Sequence, residues 1–552
     1  MSVQRLDQAL LAELRELDLL RTRHQLEHPS PQLGAEDPDV RRMIEAMAYS
    51  LVRTRLNTQR NLQTTWRRLL SSYFHFLLQP LPAMVMGRAM VSAGLSETVV
   101  LPRGSHLKLR TLDGFVGSFT TQSELRVVPA NLAAIDVQLR RDGYRLILYM
   151  ESQYKRSDDL GVLRFYIHYL DNYLAALRVQ RNLERHLQRC SVVYDTAVRP
   201  DTEGTPCEVS FGSYFDEHYE GDDQNPLEKA RNFFHFPESD LFMNIRVPAA
   251  QRSWLRFAIV LDLDGDWPRD PPVYREVFVP WAVPLANVVR SASRPIEVDG
   301  TQDAYPIRYA FDDYSFVLHR SHGVFRLLPN GLERLHSATL NSIHPSFEVE
   351  EQSELGSIGG YSLLLRMPEA FAKSQSLVVD ATWFQPEFAS HAVGPIEVKL
   401  WDRTAPGLLW ETVGLVRAPL ECPLRQDADR LLHLLSLKMK PILEREEIAE
   451  ILSMFGSIDA GVYRDMPARL MDVAVETVPD GQLQGAGIRH LYHVLLRPYE
   501  PEEEPLVARF LAQLLKLLDA WDYDARVELR TEQGSGALRA LPAQSTHRRG
   551  PQ

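Results

Sequence analysis

Apolar residues recur at helical spacing through the first eighty positions of this 552-residue chain. Leu6, Leu10, Leu14 and Leu17 are interleaved with Asp7, Glu13, Arg15 and Glu16, a pattern that predicts an amphipathic helix. The Pro- and Gly-bearing segment His28 to Gly34 predicts a loop. Asp37-Pro38 then marks a second helix start, with a carboxylate N-cap followed by Pro at the position where no N–H is needed. Val40, Ile44, Met47 and Leu51 follow at intervals of four and three and form one stripe. Leu62, Trp66, Leu69 and Tyr73, continuing to Phe76, form another. Leu51 to Leu62 is eleven residues, so the two stripes are out of heptad phase. That predicts either a break near Asn57–Asn61 or a stripe that drifts around one helix. Pro80 and Pro82 stop the helix.

From Met84 the period shortens. Thr98–Leu101, Phe115–Phe119, Glu124–Val128, Tyr144–Tyr149 and Leu163–His168 read as strands. Asp171 to Cys190, carrying Leu174, Leu177, Leu183 and Leu187, reads as a helix, and Ser191–Tyr194 returns to strand. Residues 248–420 are rich in Pro and in short strands: Leu255–Leu263, Val273–Pro280, Ser315–Arg320, Ser362–Met367, Leu377–Trp383 and Ile396–Trp401. Helices resume near Asp427 and cover Glu444–Phe455 and Glu504–Ala520, before a final strand at Arg526–Arg530. The predicted class is α+β and multidomain. The expected divisions are a helical region at 1–80, a mixed β domain with one crossover helix at 81–247, one or two β-rich domains at 248–425, an α/β region at 426–531 and a disordered tail at 532–552.

Composition narrows the function. Lys and Arg number 61 against 73 Asp and Glu, a net charge of −12, which disfavours nucleic acid as the main partner. Arg178, Arg181, Arg185 and Arg189 form one local basic stripe, read as a solvated helix face. No uninterrupted apolar run reaches about 18 residues, so no membrane insertion is expected. The charged N-terminal helix is not a signal peptide, and the expected compartment is the cytoplasm. Cys190, Cys207 and Cys422 lack CxxC spacing and read as buried thiols rather than a disulfide framework or zinc site.

Candidate chemistry is sparse. Asp262-Leu263-Asp264-Gly265-Asp266 invites a calcium loop, but Gly is fourth and Val273 occupies the twelfth position, so a strand-ending turn is the better reading. Asp216, Glu217 and His218, with Glu220, Asp222 and Asp223, form a polar acidic loop that could hold a metal or supply a base. His490 and His493 lie three apart, as do His319 and His322; on a helix each pair would share a face, with no third ligand nearby. GxSxG, GxxxxGK[ST], HExxH and GxGxxG are all missing, which argues against the common enzyme classes. Pro102-Arg103-Gly104 is the most specific small element, a tight turn before the strand His106–Leu109. No catalytic residue, metal site or cofactor is expected.

Several segments in order carry a resemblance. These are Asp37-Pro38-Asp39-Val40, the aromatic helix end Tyr73-Phe74-His75-Phe76, the Pro80-x-Pro82-x-Met84 stop, the Pro102-Arg103-Gly104 turn and the element Phe236-Pro237-Glu238 leading into Leu241–Val247. Leu431–Leu437 adds a looser match. Together they resemble the TssF family, also called VasA or ImpG, of type VI secretion baseplate subunits. Two departures stand out. Ser118-Phe119-Thr120-Thr121 lacks the Arg of the family's Arg-Thr pair, and Asp519–Asp524 lacks an Asn-rich ending. The resemblance implies a structural wedge subunit of a contractile injection machine. Two copies would clamp one TssG; TssK, TssE and the spike hub VgrG would be further partners. The baseplate would sit at the cytoplasmic face of the inner membrane and nucleate the sheath. A wedge protein of a phage-like particle and, as a rival class, a metal-dependent hydrolase built on the Asp/His clusters remain the alternatives.

The stripes at Val40, Ile44, Met47, Leu51 and at Leu62, Trp66, Leu69, Tyr73 are the candidate partner-binding residues. So short a helical region is a poor candidate for a core of its own. The stripes must therefore bury in a partner bundle or fold back on the chain's own β domains, and the resemblance favours the bundle.

Overall fold

The computed structural model describes residues 3–27, 38–213, 225–250, 252–302, 304–311, 313, 315–337, 345–352, 360–367, 373–424, 428–479, 488–522, 525–533 and 537–540. The loop expected at His28 to Gly34, the Asp37 cap and the acidic cluster at Asp216 to Asp223 lie outside the described residues, as does the tail beyond 540. The class is α+β and multidomain: long N-terminal helices, several β-sheets and a mixed C-terminal region. The chain divides into two compact units. One comprises residues 1–78, 290–383 and 424–435, the other 79–289, 384–423 and 436–552.

The first unit begins with an α-helical hairpin. Helix α1 runs Val3–Glu27 and helix α2 runs Pro38–Phe74 without a break, so the stripes drift around one continuous helix. Leu10, Leu14 and Leu17 are half-buried on the side of α1 that meets α2, and Glu13 lies 3.7 Å from Arg55 across the pair. A short 3-10 turn, His75–Leu78, ends α2 with Phe76 and Leu77 buried. The same unit holds a sheet built from Val288–Ala292, Gln375–Phe384, Val317–Leu328 and Gly331–Arg334. A second sheet orders Ala304–Ile307, Gly360–Arg366, Ser346–Gln352 and His336–Ser337.

The second unit contains a closed six-stranded barrel: Met84–Val91, Ala282–Ala286, Val116–Thr121, His106–Arg110, Glu397–Leu400 and Leu408–Arg417. Leu107 and Leu109 alternate inward, as a period of two requires. A β-carbon added at Gly117 would fall 2.3 Å from the Phe388 ring, so only Gly permits that ring to pack there. Two buried amides beside the barrel strands, Asn287 and Gln385, are hydrogen-bonded. Asn287 donates to Ser118 O at 2.9 Å and accepts from Gln385 N at 2.9 Å, while Gln385 accepts from Ser118 N at 2.8 Å.

Beside it in sequence, an eight-stranded sheet runs Phe278–Pro280, Val162–Ile167, Phe242–Arg246, Thr205–Phe211, Leu187–Tyr194, Trp254–Asp264, Gly143–Arg156 and Asn131–Arg140. Strands from both sides of residue 247 thus share the barrel and the sheet. Phe257–Leu261 is apolar and buried throughout, as a central strand covered on both faces should be. Helix α3, Tyr173–His186, packs on this sheet and is capped by Asn172, which accepts from Ala175 N. It ends earlier than the sequence suggests: Leu187 to Cys190 continue as strand, so Arg189 leaves the Arg178–Arg185 helix face. Val273–Pro280 also differs, because Arg275–Val277 forms a 3-10 turn and only Phe278–Pro280 is strand.

Helix α4, Pro226–His235, precedes the Phe236-Pro237 element. Short α5, Phe388–His391, follows the barrel's Gln385, and α6 spans Ala428–Lys438. Helix α7, Arg445–Phe455, ends on Gly456 in the left-handed conformation. The last sheet, Leu470–Pro479, Ile488–Leu496, Ala525–Gln533 and Ala537–Ala540, packs against α8, Glu504–Trp521. Two of its strands bear on residues the sequence singled out or left outside the folded region. Ile488–Leu496 carries both His490 and His493, and Glu532, Gln533 and Ala537–Ala540 are strand rather than disordered tail.

Candidate partner-binding surface and its supports

The hairpin is amphipathic beyond what its own two helices consume. On α2, Ala48 is 0% and Val52 2% exposed, whereas Met47 is 53% and Leu51 44% exposed. The buried positions are one residue further along than the expected stripe, a rotation of about 100° around the helix. Ile44 is half-buried between the two faces. Leu62 and Leu69 are likewise exposed, Trp66 is half-buried, and the side chains of Val40 and Tyr73 lie outside the description. Helix α1 adds Leu11, Leu19, Leu20 and Leu26, all exposed, and α2 adds Met43. Sequence periodicity alone missed these α1 residues because the half-buried Leu10, Leu14 and Leu17 account for its pattern. The result is two exposed apolar ladders on α2, at Met43, Met47, Leu51 and at Leu62, Leu69. Each fully buried Leu or Met contributes about 1.5–3 kcal/mol, so such ladders represent a large unspent driving force for association.

Two segments far apart in sequence meet just beyond the helix stop. Arg231 on α4, 2% exposed, donates from Nε to Phe455 O at 3.1 Å and from Nη2 to Gln79 O at 2.9 Å. His235 Nε2 lies 2.8 Å from Pro82 O. The Pro80-x-Pro82 stop is therefore held by the helix that leads into Phe236-Pro237. Phe236 and Pro237 are themselves buried, and Pro237 opens a 3-10 turn ending at Asp240. Asp240 pairs with Arg509 of α8 at 3.0 Å, and Gln180 of α3 bridges Arg509, Asp240 O and Phe242 O. Arg231, His235, Gln180 and Arg509 have no sequence signal beyond their types; only the fold brings them together.

Burial pushes the His235 imidazole down to about 4, against a smaller opposing pull from its bond to Pro82 O. The folded state thus holds this ring neutral where the unfolded chain, near 6.5, would protonate it. The stability contributed is fully present above about pH 6.5 and is lost as pH falls towards 4, roughly 3 kcal/mol in all. Denaturation followed across that window should show His235→Gln losing less stability on acidification than the native chain. Identical slopes for the two would remove His235 from the account.

The Pro102-Arg103-Gly104 turn is built as the sequence suggests. Gly104 has φ +84°, Ser105 N bonds Pro102 O at 3.2 Å, and Gly104 N bonds Thr121 O at 2.8 Å. The remaining candidate chemistry that falls within the described residues resolves into structure. Arg145 grips Asp262 at 2.7 and 3.2 Å, and Arg140 adds a 2.8 Å contact. Burial alone would raise the Asp262 carboxyl, but the two arginines outweigh it and hold it below the usual range. Asp264 accepts from Asp266 N at 3.0 Å and faces His186 at 2.8 Å, which makes the segment a strand-ending turn. His490 and His493 sit on a strand, where a spacing of three puts them on opposite faces; the shared helix face does not exist. His490 instead contacts Asp522 at 3.2 Å and Thr477 at 3.1 Å. His319 and His322 are separated in the same way, with His322 bonded to Thr382 at 2.7 Å. Among the described residues no group of three or more His, Cys, Asp or Glu side chains could hold a metal ion, and no helix is long and apolar enough to cross a membrane.

Against known families, the model described as "Type VI secretion system, TssF" matches residues 30–313, more than half of the chain. The chain belongs to the TssF family. A comparison with curated protein sequences yields no match. Among solved structures, the TssF-family fold seen here is similar to a chain of the type VI secretion system TssK-TssF-TssG baseplate subcomplex determined by cryo-electron microscopy. The two share 15% identity over 93% of this chain and 100% of that one, at a TM-score of 0.74. A chain of the baseplate complex from the type VI secretion system is similar at 14% identity over 97% and 98%, with a TM-score of 0.62. At these identities the likeness is one of fold, and it extends over nearly the whole length of both chains.

Proposed function

We propose that this TssF-family chain is a structural wedge subunit of the type VI secretion baseplate, with assembly rather than catalysis as its activity. The observation that carries the reading is the exposed apolar ladder of the α1–α2 hairpin, Met43, Met47, Leu51, Leu62 and Leu69 on α2 with Leu19 and Leu26 on α1. A soluble chain presents such a row of large apolar side chains when a partner covers it. The partner-binding set is Ile44, Met47, Leu51, Leu62, Trp66 and Leu69, flanked by Val40 and Tyr73, and the partner is TssG. Family membership and the TssK-TssF-TssG composition of the similar subcomplex support that choice.

On this reading two copies of the chain clamp one TssG, TssK and TssE attach to the wedge, and wedges surround the VgrG spike hub to nucleate the sheath. The assembly lies on the cytoplasmic side of the inner membrane and needs no cofactor and no nucleic acid. Native mass spectrometry of the chain co-expressed with TssG tests the stoichiometry. The expected species holds two copies of this chain per TssG. A one-to-one complex would refute the clamp but keep the partnership, and separate elution of the two proteins would refute both.

A further inference from the structure

The three cysteines looked unrelated in sequence, yet two of them meet. The strands Leu187–Tyr194 and Thr205–Phe211 are antiparallel, and their register sets Cys190 directly opposite Cys207. Residues so placed have β-carbons about 4.5–5.5 Å apart, close to the separation a disulfide bridges. The Cys207 thiol donates weakly to Thr205 O at 3.6 Å. The surroundings of the two thiols differ: Cys190 is 4% exposed, Cys207 is half-buried and reachable from solvent. The pair also occupies a junction. Thr205–Cys207 pairs with Leu187–Tyr194, while Glu208–Phe211 pairs with Phe242–Arg246, so the strand changes neighbours immediately after Cys207.

We propose that Cys190 and Cys207 form an oxidative modification site, closed by hydrogen peroxide into a reversible intramolecular disulfide at the sheet's junction. The chemistry balances with the peroxide as oxidant. The Cys207 thiolate attacks one peroxide oxygen, the O–O bond breaks, and the released hydroxide takes a proton to leave as water. The Cys207 sulfenic acid that results is then attacked by the Cys190 sulfur. An S–S bond forms, the S–O bond breaks, and the second oxygen leaves as water with the Cys190 proton. Two electrons pass from the two sulfurs to one peroxide. The roles follow from the environment. Cys207 is the thiol that solvent reaches and so meets the peroxide first, whereas Cys190 is buried and serves as the thiol that resolves the sulfenic acid.

The test is graded hydrogen peroxide treatment of the full chain, followed by alkylation in denaturant and mass spectrometry, with sulfoxidation of the exposed Met439 as the dose gauge. The expected product is lighter by two hydrogen atoms, is restored by dithiothreitol, and yields a peptide linking Cys190 to Cys207. Cys422→Ser should leave that product unchanged, and Cys190→Ser should leave Cys207 as a sulfenic acid trapped by dimedone. The proposal is overturned if both thiols remain alkylatable once Met439 is fully oxidised. It is equally overturned if Cys207 gains oxygen without linking, or if the link formed is to Cys422 or to another molecule.

Discussion

Met47→Asp combined with Leu51→Asp should abolish capture of TssG while leaving the melting temperature of the isolated chain unchanged. Both side chains stand on the solvent face of α2, so in the free chain the new carboxylates meet water and cost little. In a partner bundle they would be desolvated in an apolar seam, at roughly 4 kcal/mol or more, which is about a thousandfold in affinity. Val52→Asp is the internal comparison, because Val52 is buried and its replacement should unfold the hairpin by itself. Ile44 is less informative, being half-buried between the two faces. Co-purification and thermal denaturation of the three proteins read both quantities. A Met47/Leu51 double mutant that unfolds alone would make this face internal core, and one that still binds TssG would place the interface elsewhere.

The second large effect belongs to Arg231. Its guanidinium lies where the last turn of α7 leaves a carbonyl without a helical donor, at the negative end of that helix's dipole. The same group reaches Gln79 O just past the end of the N-terminal helices. Burial lowers its pKa to about 10, which still leaves it charged at neutral pH. Arg231→Ala would strand two carbonyls and open a cavity. With charge-assisted bonds at about 1.5–3 kcal/mol each, the expected loss is roughly 4–6 kcal/mol. That is a large part of the 5–15 kcal/mol typical of a folded domain, so poor yield and early urea unfolding are expected. Arg231→Lys should recover only part, since one ammonium cannot match the planar fork to both carbonyls. A loss below about 1.5 kcal/mol for the Ala variant would show that the clamp is not structural.

Local chemistry explains which parts of this chain were legible. A helix stop at Pro80 and Pro82, a Gly104 turn with positive φ and the strand at Leu255–Leu263 each depend on a few neighbouring residues. The TssF resemblance rested on such elements in order, and the family match confirms it. The failures share a cause. His490 and His493 at a spacing of three fit a helix face or opposite strand faces, and only pairing with Leu470–Pro479 and Ala525–Gln533 decides between them. Leu187 continues the Leu spacing of α3, but the strand beyond it gains more by joining Trp254–Asp264 in the sheet.

The sequence by itself determined the class of elements, the long amphipathic N-terminal helices and the family, because periodicity, Pro and Gly act within a turn or two. Only the tertiary structure decided which face of α2 is covered, since Ala48 and Val52 are buried while the larger Met47 and Leu51 stay in water. It alone brought Gln79, Arg231 and Phe455 together and set Cys190 against Cys207. It alone assembled each unit from separated stretches of chain. The physical reason is the same in each case: burial and pairing are properties of residues distant in sequence, and no local spacing encodes which distant partner arrives.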